Sequence, residues 1–432
     1  MDMGSSSTVF VATSDLSGIT RGRAAPGHAE EGVLRRGVGW VPADLALTAF
    51  GQIAPNPFGS TGDLRLVPDG SSGVDLPARG DVPGVRLYLA DQTLPDGTPW
   101  QNCPRAFARR ALEDLRRATG LEVTAAFEHE FMLPGLDGGA PLSFARFRSA
   151  EPFGSELVAL LDRTGLEPET WLPEFGTDQF EITLRPADGM TAADRAIVLR
   201  EVVRDLASRH GHRATFAPLL DPDGTGNGVH VHLSLRDAGT GRPVLYDPAR
   251  PAGLSTLGGR FCAGILRHAR ALLSFTAGSP SSYLRLAPHR WSSAGVFLAE
   301  RHREALLRIC PTSGLGGGVE ADQYNLEFRA ADATANPWLV LGVLVRAGLQ
   351  GVKEDYAQPQ VWPEGAGPDL VGVPALPRSM EEALLELDKD AVVSGWFPEE
   401  LLETHRSVKR SELAVVSGLD ERDVCGRVAD VY

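Results

Sequence analysis

The run Gly226-Asn227-Gly228-Val229-His230-Val231-His232-Leu233-Ser234-Leu235 sets two histidines one residue apart, alternating with Val and Leu and entered through Gly-x-Gly. On a β-strand, residues two apart share a face, so both imidazoles point the same way. The same spacing recurs with acids in Glu128-His129-Glu130, inside Val-Thr-Ala-Ala-Phe-Glu-His-Glu-Phe-Met-Leu, and in Glu327-Phe328-Arg329. Glu174 and Glu181 lie at the ends of a turn segment leading into a further strand. The expectation is one shared cavity lined by Glu128, Glu130, Glu174, Glu181, His230 and Glu327. Carboxylates crowded in this way repel and raise one another's pKa unless cations sit among them. An oxygen-rich set with one imidazole favours Mg²⁺ or Mn²⁺ over zinc, and paired ions of this kind serve phosphoryl transfer. Arg285, Arg303, Arg308 and Arg329 accompany the acids. Guanidinium groups grip carboxylates and phosphates in a bidentate way, so the combination points to a nucleotide plus an acidic substrate. No Gly-x-x-x-x-Gly-Lys-Ser/Thr loop is present, and Gly314 to Gly318 lacks a lysine, so arginines and metals must hold the phosphates.

Taken singly, these features have plain readings. A Glu-x-Glu strand is commonly a solvated sheet edge, an isolated arginine a surface ion pair, and Trp291 a core residue. Asp332, Asp322 and Glu320 read as surface or loop acids. Convergence of several strands on one cavity is what lifts the acids above these readings.

The elements that must position them follow from periodicity. Val9 to Ala12 reads as a strand, Gly18 to Arg23 as a turn, and Gly84 to Asp91 as a strand closed by the turn Pro95 to Pro99. Helical spacing begins after Pro104 and spans Arg105 to Thr119, with Gly120 as its stop. Further helices are expected over Pro152 to Thr164, Thr191 to His210 with Thr191 as N-cap, Leu257 to Leu273, Pro337 to Val352, Met380 to Asp388 and Pro398 to Ser407. Ala214 to Pro218 reads as strand-like, and only Met1 to Ser7 as unstructured. This is an α+β chain of two domains: a small, mostly β domain at 1–102 and a larger one at 103–432.

Composition narrows the partners. Forty-two basic against 56 acidic residues leave a net charge of −14, which argues against nucleic acid or an anionic membrane. Cys103, Cys262, Cys310 and Cys425 are widely spaced, so no disulfide framework or thiolate metal site is indicated. No apolar run reaches the roughly 18 residues of a membrane span, and no signal peptide is evident, so the expected location is cytoplasmic.

Six segments, in order, resemble the glutamine synthetase family of the bacterial type I kind, in its γ-glutamylamide or γ-glutamylpolyamine synthetase-like branch. They are Glu128 to Glu130; Glu174 to Glu181; Gly226 to His232; Ser282-Tyr283-Leu284-Arg285-Leu286-Ala287-Pro288; Arg303 to Arg308; and Leu326 to Arg329 through Asn336-Pro337-Trp338-Leu339. The resemblance implies a β-grasp-like N-terminal domain and a catalytic domain whose curved antiparallel sheet forms a funnel-shaped barrel surrounded by helices. It implies that Glu130, Glu174 and Glu181 hold one metal and Glu128, His230 and Glu327 another, two or three ions per site in all. Gly226, Arg285 and Arg329 would bind glutamate, and Arg285, Arg303 and Arg308 would serve the chemistry. His232, Ser234 and Arg308 would lie on the ATP side. It also implies a homo-oligomer of two stacked hexameric rings, with active sites between subunits.

Two stretches depart from the pattern. Where the family has a glutamate after Arg285, this chain has Trp291; where it has an Asp-Gly-Ser-Ser loop, this chain has Ala49-Phe50-Gly51-Gln52-Ile53. Loss of these carboxylates from the ammonium cage favours an uncharged, partly apolar amine, with Trp291 and Phe50 beside it. Thr225, Asn325 and Leu219 replace an Asn, an Arg and a Lys of the family. The expected reaction is ATP-dependent ligation of glutamate to an amine other than ammonia, such as an aromatic or alkyl amine, with ammonia as the alternative substrate and a non-catalytic binding protein of the family as the remaining alternative.

Overall fold

The computed structural model describes residues 8–80, 82–136, 138–287, 290, 292–293, 295–366 and 372–432. The expectation for Met1 to Ser7 falls on residues outside that set. A six-stranded sheet forms first. It is built from β1 (Thr8–Ser14), β2 (Thr20–Pro26), β3 (Val38–Trp40), β4 (Leu64–Pro68), β5 (Val74–Leu76) and β6 (Val85–Thr93). Its order is β2-β1-β6-β4-β3, with β5 also on β6. β1 pairs parallel with β6, and the remaining pairs are antiparallel. Val9, Val11, Leu64, Leu66, Leu87 and Leu89 form its buried face, and α1 (Glu30–Arg36) lies beside β4.

The second sheet has nine strands in the order β15-β12-β13-β14-β11-β7-β9-β8, with β10 on β7. These are β7 (Leu121–Met132), β8 (Pro168–Pro173), β9 (Gln179–Leu184), β10 (Ala187–Asp188), β11 (Val229–Asp237), β12 (Gly295–Glu300), β13 (Ala305–Ile309), β14 (Leu326–Phe328) and β15 (Val361–Trp362). The central pairs are antiparallel, as expected, but β12 pairs parallel with both β13 and β15, so the sheet is mixed at that end. Helices surround it: α2 (Pro104–Thr119), α3 (Phe144–Ser149), α4 (Phe153–Arg163), α5 (Gly189–Arg209), α6 (Thr256–Thr276), α7 (Pro280–Arg285), α8 (Glu320–Gln323) and α9 (Pro337–Lys353). The last four, α10 (Met380–Lys389), α11 (Ala391–Ser394), α12 (Glu399–Val416) and α13 (Glu421–Ala429), close the chain.

α9 is apolar nearly all round and buried accordingly. It reaches α6 through glycines: a Cβ on Gly264 would lie 1.9 Å from the Ala347 carbonyl oxygen. One hydrophobic core runs through both sheets. Between them Arg105, only 1% exposed, donates to Asp69 Oδ2 at 2.8 Å, Asp91 Oδ1 at 3.2 Å and Asp194 Oδ2 at 2.6 Å. Three carboxylates from β6, α5 and the end of β4 thus share one guanidinium, a pairing strong enough to tolerate burial.

Several local expectations are corrected. The turn lies at Asp15 to Gly18, where Asp15 Oδ1 accepts from the Ser17 and Ile19 N–H groups, and Thr20 to Arg23 already belong to β2. α5 is capped by Asp188, whose side chain accepts from the Thr191 N–H; Thr191 lies inside the helix. Ala214 to Pro218 forms no strand, only isolated bridges from Thr215 to Met132 and from Leu219 to Gly226, because Phe216 N–H is taken by the carbonyl of Tyr432. β8, bounded by Pro168 and Pro173, escaped notice as an edge strand. α12 runs on to Val416, and α13 was not foreseen. Asp332 is in a loop, as one of the two readings had it, but is 2% exposed and so no surface acid, whereas Glu320 and Asp322 are exposed.

Candidate active site

Strand register assembles the acids. Antiparallel pairing sets His230 opposite Glu128, His232 opposite Glu327, Glu130 opposite Glu181, and Arg308 opposite Glu327. Facing residues on neighbouring strands lie about 5 Å apart at Cβ, so five strands deliver their polar groups to one face. His129 points the other way, is 1% exposed, and is kept neutral: burial, helped by Arg200 and Arg204, lowers its pKa to about 3.

His230 Nδ1 stands 3.2 Å from Glu128 Oε2 and 3.5 Å from Glu327 Oε1, and His232 Nε2 stands 3.1 Å from Glu128 Oε1. Arg308 Nη1 donates to Glu327 Oε2 at 2.7 Å, and Arg329 pairs with the other oxygen of Glu327. Burial works against ionising Glu327, but Arg329 and the two imidazoles outweigh it and hold the carboxyl at about 2. Glu128 is likewise buried yet held low by hydrogen bonds from His230 and His232. Glu181 has less help: burial first, then Glu128, Glu130 and Glu174, outweigh His232 and push it up to about 9.

Two tight donor groups result, Glu128–Glu181–His230 and Glu128–His232–Glu327, whose atoms lie within 4.8 Å of one another. They cut across the division that the resemblance implies, since Glu128 belongs to both and His232 joins the second. Glu130 Oε2 instead accepts the Gly228 N–H at 2.6 Å, and Glu174 Oε2 accepts the Phe175 N–H at 3.0 Å. Oxygen donors dominate, and the upward push on Glu181 is what a bound dication would relieve, so the residues fit a hard divalent metal ion.

The remaining candidates ring this cluster. Arg285, 4% exposed, donates from Nη2 to the Ala331 carbonyl at 2.9 Å. Arg329 Nε donates to the Arg303 carbonyl at 2.7 Å, while the Arg303 side chain is exposed and lowers Glu174's pKa against the larger effect of burial. Gly226 is closely approached: a Cβ there would sit 2.6 Å from Arg285 Cγ and 2.7 Å from the Pro218 carbonyl oxygen. Ser234 Oγ donates to the Tyr324 carbonyl at 3.0 Å. Phe50 stands apart, its ring 5.4 Å from the Arg427 guanidinium, on a loop whose Ala49 N–H donates to the buried Glu412 at 2.8 Å. Trp291 lies outside the described residues.

Sequence reasoning passed over other groups. Gln179 bridges the two halves of the site, accepting from the Gly176 N–H at 2.8 Å and donating to the Gly226 carbonyl at 2.9 Å. Its place between Glu174 and Glu181 was the available signal. Asn325, read in the sequence only as the replacement of a family arginine, accepts through Oδ1 from His232 Nδ1 at 2.8 Å, and Cys310 Sγ lies 3.6 Å from Glu327 Oε2. A cysteine spaced far from other cysteines carries no sequence signal for this position.

An α+β fold with a barrel-like sheet, lined by acids, imidazoles and arginines, defines a metal- and nucleotide-dependent transferase or ligase site. Comparison with known proteins makes that class specific. Residues 101–421 match the model of the glutamine synthetase catalytic domain, and residues 5–100 that of the glutamine synthetase N-terminal domain. The chain belongs to the glutamine synthetase family and is an ATP-dependent carbon–nitrogen ligase. It is 31% identical to the gamma-glutamylpolyamine synthetase GlnA3 of Streptomyces coelicolor, over 96% of this chain and 91% of that protein. It is 28% identical to the glutamine synthetase of Methanocaldococcus jannaschii, over 81% and 79%. A crystal structure described as a novel glutamine synthase homolog superposes with a TM-score of 0.92 at 43% identity, covering 99% of both chains. An ADP complex of GmaS shares the fold, with a TM-score of 0.82 at 24% identity, covering 96% of this chain and 95% of that one. The family works with ATP, divalent metal ions, glutamate and an amine. No helix among the described residues is long and apolar enough to cross a membrane.

Proposed function

We propose that this enzyme joins the γ-carboxylate of glutamate to an amine other than ammonia, an aromatic or alkyl amine, through γ-glutamyl phosphate. The observation that carries the reading is the convergence of Glu128, Glu181, His230, His232 and Glu327 on one sheet face, with Arg285, Arg308 and Arg329 beside them. Glu130, Glu174 and Glu181 would hold one Mg²⁺ or Mn²⁺, and Glu128, His230 and Glu327 another. Bound there, the ions neutralise phosphate charge. Gly226 contacts glutamate through its backbone, and Arg285 and Arg329 bind its carboxylates. His232, Ser234 and Arg308 lie toward the nucleotide.

A γ-carboxylate oxygen attacks the terminal phosphorus of ATP, the bond to the bridging oxygen breaks, and ADP leaves. Arg303 and Arg308 stabilise the charge on the phosphoryl group in flight, the principal contribution to such a rate. The amine nitrogen then attacks the acyl carbon, the carbon–oxygen bond to phosphate breaks, and a proton and inorganic phosphate depart.

The choice of amine rests on what surrounds that nitrogen. Neither Leu47 to Ile53 nor Leu286 to Gly295 contains an Asp or Glu, and capture of ammonium needs anionic groups. Phe50, delivered by a neighbour's N-terminal domain within two stacked hexameric rings in the cytoplasm, and Trp291 would pack on the amine. The domain boundary is taken at 102/103. Similarity to a protein named a γ-glutamylpolyamine synthetase supports a non-ammonia amine, and similarity to archaeal glutamine synthetases supports the alternative, ammonia. ADP release measured across ammonia, alkylamines, polyamines and anilines separates them. Ammonia emerging as clearly the best substrate overturns the proposal.

A further inference from the structure

We propose that Asp332 is a positioning residue: its backbone helps hold the Ala331 carbonyl that Arg285 grips, and its buried carboxylate balances the Arg285 charge, so that the guanidinium stays placed for a carboxylate of the amino-acid substrate. The inference rests on the reading of Arg285 given above. Asp332 sits in the connection from β14 to α9, and its side chain is buried. Its Oδ1 accepts from the Thr334 N–H at 3.0 Å and from Thr334 Oγ1 at 2.5 Å, and its own N–H donates to the Thr276 carbonyl at 3.2 Å. Thr276 Oγ1 donates to the Ala330 carbonyl at 3.2 Å. These bonds fix the peptide planes on both sides of Ala331.

The Ala331 carbonyl is the junction. It accepts Arg285 Nη2 at 2.9 Å and the Val229 N–H at 2.9 Å, so one oxygen ties the arginine to the first residue of the histidine strand. Displacing it would move Arg285 relative to Gly226 and Gly228, against which the arginine side chain is already packed.

The other oxygen of Asp332, Oδ2, is buried and makes no hydrogen bond among the described residues. Burying an ionised oxygen without compensation is costly, and an asparagine would serve the turn equally well. What an asparagine lacks is charge. Arg200, 1% exposed, donates from Nη1 to the Ala333 carbonyl at 2.5 Å, and its Nε and Nη2 have no partner among the described residues. Asp332, Arg200 and His129 line a common cavity of about 10 Å³. Burial works against the charge on Arg285, and Asp332 is the foremost charge offsetting it. The carboxylate therefore serves the buried guanidinium of Arg285, the one that faces the substrate.

Asp332→Asn keeps the turn and removes the charge. The expected result is a glutamate KM raised about tenfold, the scale of one weakened charge-assisted contact, with the ATP KM within about twofold of wild type. Arg285→Ala should raise the glutamate KM further, and adding D332N to it should change little, because the aspartate acts through the arginine. A glutamate KM unchanged in D332N, or glutamate and ATP KM values raised equally, overturns the proposal while Arg285→Ala still raises the glutamate KM. A glutamate KM unchanged in Arg285→Ala overturns the reading of Arg285, and the role of Asp332 falls with it. Should D332N not fold, Thr334→Val removes the hydroxyl bond to Oδ1 together with a longer contact to Ser282 Oγ at 3.4 Å, and Ser282→Ala, which removes the latter and leaves the former, is run beside it. Relative to that control, Thr334→Val should raise the glutamate KM about two- to threefold and spare ATP, the loss of one neutral hydrogen bond; no change in glutamate KM overturns the proposal.

Discussion

Replacing Glu181 by glutamine should make the metal-free protein less sensitive to rising pH. Burial and the neighbouring Glu128, Glu130 and Glu174 raise this carboxyl from 4.5 to about 9. Between those values the folded protein keeps a proton that the unfolded chain has released. Stability present below pH 4.5 is therefore lost progressively as pH climbs to about 9, at up to about 1.4 kcal/mol per pH unit. From pH 6 to pH 8 the loss comes to about 2.7 kcal/mol. With an unfolding entropy of about 2.1 cal/mol/K per residue, the 432-residue chain should lose about 3 °C in melting temperature over that interval. E181Q cannot titrate and should lose less by that amount. Melting curves in chelator at pH 6, 7 and 8 test this, with wild type and E181Q run together so that other groups cancel. Adding Mg²⁺ or Mn²⁺ should close the gap, because a cation replaces the proton. A wild-type melting temperature that stays parallel to that of E181Q across the range would refute the reasoning.

Arg105→Met should cost about 3–5 kcal/mol in urea unfolding, because Asp69, Asp91 and Asp194 are left facing one another. Gly226→Ala should raise the glutamate KM at least about tenfold in steady-state kinetics, since its Cβ would push Arg285 out of place. His405 is buried, and burial with Lys409 beside it lowers its pKa well below 6.5. The unfolded chain then takes the proton first, so stability present above pH 6.5 is lost as pH falls, by up to about 1.4 kcal/mol per unit. His405→Gln should flatten that acid limb in denaturant titrations between pH 5 and 6.5.

Much of the site was legible because its residues sit on strands. Period-two spacing announces a shared face without any knowledge of the partner strand, and Glu128, Glu130, His230, His232 and Glu327 were all found that way. Helices with apolar stripes and glycine or proline stops, such as Pro104–Thr119 and Pro337–Lys353, were legible for the same local reason. Asp332 was misjudged because its burial comes from Thr276, Arg200 and Arg285, drawn from three different helices. α13 was missed because its exposed, charged sequence looks like a tail, and only Val428, Cys425 and contacts to residues near Ala217 and Ala49 bury it.

The sequence by itself determined the chemistry on offer: carboxylates and imidazoles spaced for one face, with guanidinium groups suited to anions. Residue type and two-residue periodicity are local properties, so they survive being read in one dimension. Tertiary structure decided which of those groups share an ion-sized space. Strand register, a long-range property, put Glu128 between two imidazoles and Glu181 opposite Glu130, and helix packing set Phe50 against the C-terminal helix of its own chain. No spacing along the chain contains that information, because it depends on which strands and helices come to lie side by side.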